Sequence, residues 1–181
     1  MSHRLVCLSA GLALLMAGRV AAQARRASVS EVQAVFLFNF AQFVDWPGDA
    51  FSDPQAPLVI GILGKDPFGS LLDETVRGET VRGRSFRIDR YRRVDEVKDC
   101  HILFISRSES ARLNDILAAF KGRPILTVSN ADSFDQPGGI IRFILDASRI
   151  RLSIDLEAAQ GARLTFSSKL LRAAEIVPAS R

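Results

Sequence analysis

The sequence predicts an α/β fold of three layers, with helices on both sides of a mostly parallel central sheet and an antiparallel hairpin added near the C-terminus. Short continuous apolar runs suit strands that are covered on both faces. Segments with helical spacing alternate with these runs, as they do around parallel sheets. A late stretch of alternating apolar and polar residues predicts the hairpin. The 181 residues, 48% of them apolar, are enough for one domain with its own core.

The first 24 residues have the pattern of a secretory signal peptide. A basic start precedes an apolar run over residues 5–17, and small residues follow around Ala22 and Ala24. This order is typical of a cleaved leader, and the apolar run is too short to cross a bilayer core. We therefore expect export, cleavage after Ala22 or Ala24, and a single mature domain over residues 25–181.

A helix is predicted at the start of the mature domain. Ser30 followed by Gln33 fits a capping box. Trp46 is expected to follow the helix end, because a residue that precedes proline avoids helical angles. The apolar residues that recur at helical spacing, and that we expect to face the core, are Val32, Val35, Phe36, Phe40, Phe43 and Val44.

Strands and helices are then predicted in alternation. Asp66 is the expected N-cap of the second helix, with Pro67 in its first turn. Gly122 is expected to end the third helix. The predicted strands are Leu58–Leu63, Arg84–Tyr91, His101–Ile105 and Pro124–Ser129, and the helices between them are Phe68–Val76 and Glu109–Lys121.

The C-terminal part has a different pattern. Ile140–Leu145 and Arg149–Leu156 predict a hairpin around a tight turn at residues 146–148. One helical turn is expected at Glu157–Gln160. Leu164–Phe166 then leads to a last helix, capped by Ser167 or Ser168 and continuing through Glu175.

Charge and residue counts exclude several classes of function. Loss of residues 1–24 removes two arginines and no acid, so the charge falls from +4 to 22 minus 20, or +2. Such a chain has no overall field that would attract nucleic acid. The mature domain keeps one cysteine, Cys100, and one histidine, His101. These are too few for a zinc site, and neighbours in a strand point to opposite faces, which disfavours a Cys–His catalytic pair.

No catalytic residues, metal ligands or cofactor are therefore predicted, and Cys100 is expected to be a free thiol. A crevice for a ligand or a partner is predicted where the parallel strands end. Ordinary turn and capping chemistry is the alternative explanation for its residues. The predicted crevice is lined by Lys65, Asp66, Arg107, Ser129 and Asn130.

Two aromatic residues of the first helix region are candidates for a docking or dimer surface. Phe38 lies off the main apolar stripe and needs a second layer or another subunit to cover it. Trp46 lies at the end of the same region. Packing of these rings on the sheet is the alternative interpretation.

Five segments, in order, resemble the YfiR/HmsC-like periplasmic proteins. They extend over nearly the whole mature chain, and their order makes the resemblance more specific than any one of them. The segments are Val35–Pro47, Gly64–Gly69, Cys100–Ile105, Gly138–Ile141 and Leu164–Leu171.

The resemblance implies regulation without catalysis. Proteins of this family are exported α/β dimers that bind the periplasmic domain of an inner-membrane diguanylate cyclase and hold it inactive. Loss of that restraint raises cyclic di-GMP and favours biofilm formation. For this chain the resemblance implies a periplasmic homodimer whose partner is such a cyclase or a sensor kinase, with no nucleic acid and no membrane insertion after cleavage.

The chain departs from the family pattern at two positions. Family members often join the cysteine at Cys100 to one in the preceding strand, but Leu58–Leu63 contains no cysteine. Asp155 stands where the family usually has asparagine. Two other functions stay open: a module that binds a small ligand in the predicted crevice, and an exported hydrolase that would use Ser168 or Cys100.

Overall fold

The structure of the protein, a computed structural model, describes residues 29–134, 137–147 and 149–177. The predicted signal peptide and its two cleavage sites lie outside these residues. Among the residues described, no helix combines the length and the apolar character that a bilayer crossing requires.

Helices and strands alternate through the first two thirds of the described chain. The helices are α1 (residues 29–43), α2 (Ser70–Val76), α3 (Leu113–Phe120), α4 (Leu156–Gly161) and α5 (Ser168–Arg172). The strands are β1 (Val44–Asp45), β2 (Leu58–Leu63), β3 (Thr80–Val81), β4 (Arg84–Tyr91), β5 (Ile102–Ile105), β6 (Leu126–Ser129), β7 (Ile141–Asp146), β8 (Arg149–Asp155), β9 (Thr165–Phe166) and β10 (Glu175–Val177).

Eight of the described strands form one sheet, in the order β10-β8-β7-β6-β5-β2-β4-β3. Strands β4, β2, β5, β6 and β7 are parallel. Strands β7 and β8 pair antiparallel, from Ile141 opposite Ile154 to Asp146 opposite Arg149. The predicted mostly parallel sheet with a C-terminal antiparallel hairpin is therefore confirmed. Strands β1 and β9 form a separate antiparallel pair.

The buried side chains form two clusters, one on each face of the sheet. Side chains alternate between the faces along a strand. Ile60, Ile62 and Phe104 pack with α1 and α2, and we call this side the α1 face. Leu103 and Ile105 pack with α3, and we call this side the α3 face. Helices on both faces give the three layers that the sequence predicts.

The predicted facing of α1 is confirmed at Phe40 and Val44, which are fully buried, but is wrong at the start of the helix. Val32 and Val35, expected in the core, are 41% and 43% exposed. The helix carries two overlapping apolar stripes, and the sheet covers the one that includes Leu37 and Phe40. Ser30 is not a cap, because Val29 is already helical. The residues of α1 and its end that are buried are Gln33, Ala34, Leu37, Phe40, Ala41 and Val44.

Two predicted helices begin later than expected. Asp66 does cap a turn, because its Oδ1 accepts hydrogen bonds from the backbone N–H groups of Phe68 (2.7 Å) and Gly69 (3.2 Å). Gly69 has φ +56°, however, so α2 starts only at Ser70. Residues Arg107–Arg112 form a 3₁₀ segment before α3.

The C-terminal region differs from prediction mainly at its end. Ser167 caps α5, since its side chain accepts from the Leu170 N–H, but the helix ends at Arg172 instead of Glu175. Glu175–Val177 forms β10, which pairs parallel with β8 and was not predicted. Asp155 caps α4 by accepting from the Ala158 N–H at 2.9 Å. Asparagine can fill the same capping role, which accounts for either residue at this position.

Candidate functional site

The five residues of the predicted crevice lie near the carboxyl ends of three adjacent strands. Strand β2 lies between β4 and β5, so the strands that follow β2 in the chain are added first on one side of it and then on the other. Ligand sites of open α/β sheets lie at such a reversal of strand order. Lys65 and Asp66 follow β2, and Arg107 follows β5. Ser129 ends β6, and Asn130 comes next. We call this edge the carboxyl edge.

Several of these polar groups hold the edge together. Ser129 is fully buried, and its hydroxyl donates to the Ile105 carbonyl oxygen at 2.6 Å and accepts from the Ala131 N–H. Arg107 donates from Nη2 to the Asn130 carbonyl oxygen at 3.0 Å, and its backbone N–H donates to Asn130 Oδ1. These contacts order the loops that follow β5 and β6.

Asp66 belongs to an ion-pair network with Arg90 on strand β4. Arg90 Nε donates to Asp66 Oδ2 at 2.7 Å, and Nη2 reaches the Gly69 carbonyl oxygen and Asp73. The hydrogen bond from Arg90 lowers the pKa of Asp73. The two carboxylates in turn raise the pKa of Arg90, so its guanidinium stays charged across the ordinary pH range.

Side chains from the loop after β5 occupy the space at the carboxyl end of β2, where the strand order reverses. Lys65 donates from its backbone N–H to Ser108 Oγ at 2.9 Å. A Cβ added at Gly64 would lie 2.5 Å from Glu109 Oε1. Glu109 is buried and pairs with Arg112 through Nε at 2.6 Å. An anion in this position would meet a carboxylate. Of the five predicted residues, Lys65 and Arg107 carry exposed cations, and Arg107 is paired with Asp132 at 3.3 Å.

Phe38 and Trp46 are both half-buried on the α1 face. The Phe38 ring packs against Phe86 of β4, with 5.4 Å between ring centroids. Trp46 donates from Nε1 to the His101 carbonyl oxygen at 3.2 Å. Strand β4 therefore supplies part of the second layer that Phe38 needs, and both rings keep an exposed part.

Cys100 is buried on the α3 face and has no disulfide partner in the described part of the chain. Its Sγ lies 3.2 Å from the Ile102 carbonyl oxygen. Burial raises the pKa of the thiol to about 12, so the thiolate is scarce at neutral pH. The neighbouring His101 ring contacts the backbone of Val59 and Ala50 instead, so the two side chains do not form a catalytic pair.

The sequence interpretation missed a set of exposed apolar residues. Val32 and Val35 lie on the outward side of α1, next to the half-buried Phe36. Leu145 is 59% exposed near the tip of the β7–β8 hairpin, and Ile176 is 43% exposed on β10. The double apolar stripe of α1 was the available signal, because a helix that packs on one sheet can bury only one of them.

A groove of about 810 Å³ lies between α3 and α4, away from the carboxyl edge. Leu117, Ile125 and Ile140 contribute to its apolar lining. Lys121 and Glu157 place opposite charges at its rim. No group of three or more histidine, cysteine or acidic side chains in the described ranges has metal-binding geometry.

Comparison with known proteins gives one family. The family model described as YfiR/HmsC-like matches residues 30–175, from α1 to the first residue of β10. No curated protein matches the chain.

Proposed function

We propose, from the premise that the chain belongs to the YfiR/HmsC-like family, that it binds the periplasmic domain of an inner-membrane diguanylate cyclase and holds the enzyme inactive. A repressor of this kind acts by binding one conformation of its receptor better than the other. It needs a surface of suitable shape and chemistry and no catalytic groups of its own. Its loss would raise cyclic di-GMP and favour biofilm formation.

The observation that carries this proposal is the outward side of α1. The inner side of this helix is buried in the core, while Val32 and Val35 remain more than 40% exposed beside Phe36. Exposed apolar patches on a folded domain commonly mark sites of protein association. We call these three residues the α1 patch and assign it to the receptor.

The carboxyl edge is proposed as the polar border of the same interaction. Lys65 and Arg107 are exposed there, and exposed charges mainly affect the rate of association and its salt dependence. Asp66, Ser129 and Asn130 would support this border through the hydrogen bonds that order its loops. The protein is proposed to act as a homodimer, with Phe38 and Trp46 at the contact between the subunits.

The proposal is tested with the exported protein as prey and the periplasmic domains of the host's inner-membrane cyclases and sensor kinases as baits. Val35→Asp puts a charge in the α1 patch and should weaken binding at least tenfold. Ala119→Asp is the matched control, because it adds the same charge to the exposed side of α3. It should bind like the unsubstituted protein.

Two results would contradict the proposal. One is the absence of binding to every such domain, together with unchanged cyclic di-GMP after deletion of the gene. The other is equal binding by Val35→Asp and the unsubstituted protein, which would remove the α1 patch from the interface. Light scattering of both variants separates loss of receptor binding from loss of a dimer.

A second candidate function is a periplasmic sensor module that binds a small ligand. The groove between α3 and α4 favours it, because it is large and combines an apolar lining with charges at its rim. A ligand at a hundred times its Kd should stabilise the protein by about 2.7 kcal/mol in a thermal-shift screen. If the ligand binds in the groove, Ala118→Trp should abolish the rise in melting temperature. If it binds at the carboxyl edge, Lys65→Ala should abolish the rise.

A further inference from the structure

His101 holds the segment that joins α1 to the sheet, residues 46–57, which we call the connector. The side chain is 4% exposed, and both ring nitrogens are bonded to backbone. Nδ1 accepts from the Val59 N–H at 3.0 Å, at the start of β2. Because Nδ1 is an acceptor, the ring proton is on Nε2, which donates to the Ala50 carbonyl oxygen at 3.0 Å.

Aromatic and cationic groups complete the attachment. Phe51 stacks on the His101 ring with 4.3 Å between centroids and 19° between planes. The guanidinium of Arg84 lies 3.8 Å from the centroid of Phe51, and its Nη1 donates to the carbonyl oxygens of Asp53 and Ala56. Trp46 donates to the His101 carbonyl oxygen. His101, which directly precedes β5, therefore fixes the connector at Trp46, Ala50 and Phe51.

We propose that this arrangement is an acid-operated latch, in which protonation of His101 releases the connector. A second ring proton would turn Nδ1 from an acceptor into a donor that faces the donor N–H of Val59. The hydrogen bond that places the ring would be lost, and a cation would be buried within the stack that already carries Arg84. The contacts at Ala50 and Phe51 depend on that ring position.

Burial, and after it the groups around the ring, determine the direction in which the pKa of His101 moves. The Ala50 carbonyl oxygen, which accepts from Nε2, and Asp99, before β5, favour a cation at His101, whereas Arg84 and Arg87 of β4 oppose it. On the connector, Asp49 pairs with Arg163 at 2.9 Å, and Asp53 accepts from the Gln55 N–H. Burial is the largest influence, and the pKa of His101 is lowered from its ordinary 6.5.

The direction in which pH changes the stability of the latch follows from proton linkage. Below about pH 6.5 the unfolded chain binds a proton that the latched state does not accept until lower pH. The contribution of the latch is therefore complete above that pH and is lost as the pH falls through the pKa of the folded state. An exported domain would sense the acidity of its surroundings through this residue, whatever partner it binds.

The experiment uses tryptophan fluorescence and hydrogen exchange on the full chain between pH 7.5 and 4.5. Trp46 is the chain's only tryptophan, so its emission reports on the connector. We expect one transition with a midpoint below 6.5. Exchange at Val59 and the connector amides, corrected for the intrinsic pH dependence, should accelerate at least tenfold, while the amides of β5 and β6 stay protected.

His101→Asn is the matched variant, because its amide oxygen can accept from the Val59 N–H and does not titrate. It should fold and show no acid transition. Nitrogen-15 NMR of the imidazole rings tests the unsubstituted protein even if the variant fails to fold. A His101 with its proton on Nδ1, a midpoint at or above 6.5, a transition that persists in His101→Asn, or simultaneous loss of protection in β5 and β6 would overturn the latch.

Discussion

Helices α1 and α3 each cover one face of the same sheet, but their outward sides differ. The exposed side of α3 carries Asn114, Asp115 and two alanines, and the exposed Lys121 follows the helix. The exposed side of α1 carries Val32 and Val35. The outward side of α3 is polar and can face water, whereas the outward side of α1 exposes apolar surface that association with another protein would bury. The difference indicates which side of the domain is suited to bind another protein.

The inner sides of the two helices also differ. Phe40 is fully buried on the α1 face and stacks with both Phe36 and Phe143 at 6.0 Å. Phe120 is the last residue of α3, and the guanidinium of Arg123 lies 5.3 Å from its ring centroid. We therefore expect the α1 face to contribute more to stability than the α3 face.

The largest predicted effect compares these two phenylalanines directly. Phe40→Ala should lower the free energy of unfolding by about 3–5 kcal/mol, because it leaves a cavity that rigid aromatic neighbours cannot fill. Phe120→Ala should cost less, since a side chain at the end of its helix leaves space that neighbours and water can reach. Urea denaturation of both variants measures the difference. Equal losses of unfolding free energy would contradict the expectation that the α1 face contributes more to stability than the α3 face.

A smaller effect is expected at Gly61, where β2 passes over Cys100 on the α3 face. A Cβ added there would lie 2.6 Å from Tyr91 Cε2 and 2.8 Å from Cys100 Sγ. Gly61→Ala should therefore destabilise the domain by about 1–3 kcal/mol through overpacking. Thermal or urea unfolding gives the value.

The double variant Gly61→Ala, Cys100→Ala provides the control. Removal of the sulfur should recover part of the loss, so the two substitutions should not be additive. Strict additivity would show that Cys100 does not limit the space beside Gly61. The Tyr91 ring would then be the group that resists the added methyl.

The smallest effect on stability is predicted for the α1 patch. Val32→Ser and Val35→Ser change exposed side chains and should alter the free energy of unfolding by about 0.5 kcal/mol or less. The same variants should weaken receptor binding, which a pull-down measures, and should leave the dimer unchanged in analytical ultracentrifugation. A loss of stability as large as that of Phe120→Ala would instead place these valines in the core of the single chain.

The strands and several turns follow from local sequence. Continuous apolar runs predict β2, β5 and β6, since a strand covered on both faces needs apolar residues at every position. The alternation around residues 146–148 predicts the β7–β8 hairpin. Ser167 acts as a predicted helix cap, and Asp66 caps the turn before α2 instead of the helix, because a cap acts on the backbone two or three residues away. In each case the deciding interactions lie close together in the chain.

Less of the candidate site than of the fold could be predicted from the sequence. Lys65, Asp66, Arg107, Ser129 and Asn130 lie at one edge of the sheet, because parallel strands end together, and their role in binding stays a prediction. That Glu109 occupies the space beside Gly64 depends on the packing of two loops. The strand β10 was missed because its three residues acquire strand geometry from pairing with β8.

The sequence by itself determined the alternation of strands and helices, the hairpin and the resemblance to a family, because periodicity and motifs are properties of neighbouring residues. Only the tertiary structure decided which stripe of α1 is buried. It also decided that His101 bonds to Ala50 and Val59, which are 51 and 42 residues away. Contacts at such separations depend on how the layers pack. No local pattern specifies that packing.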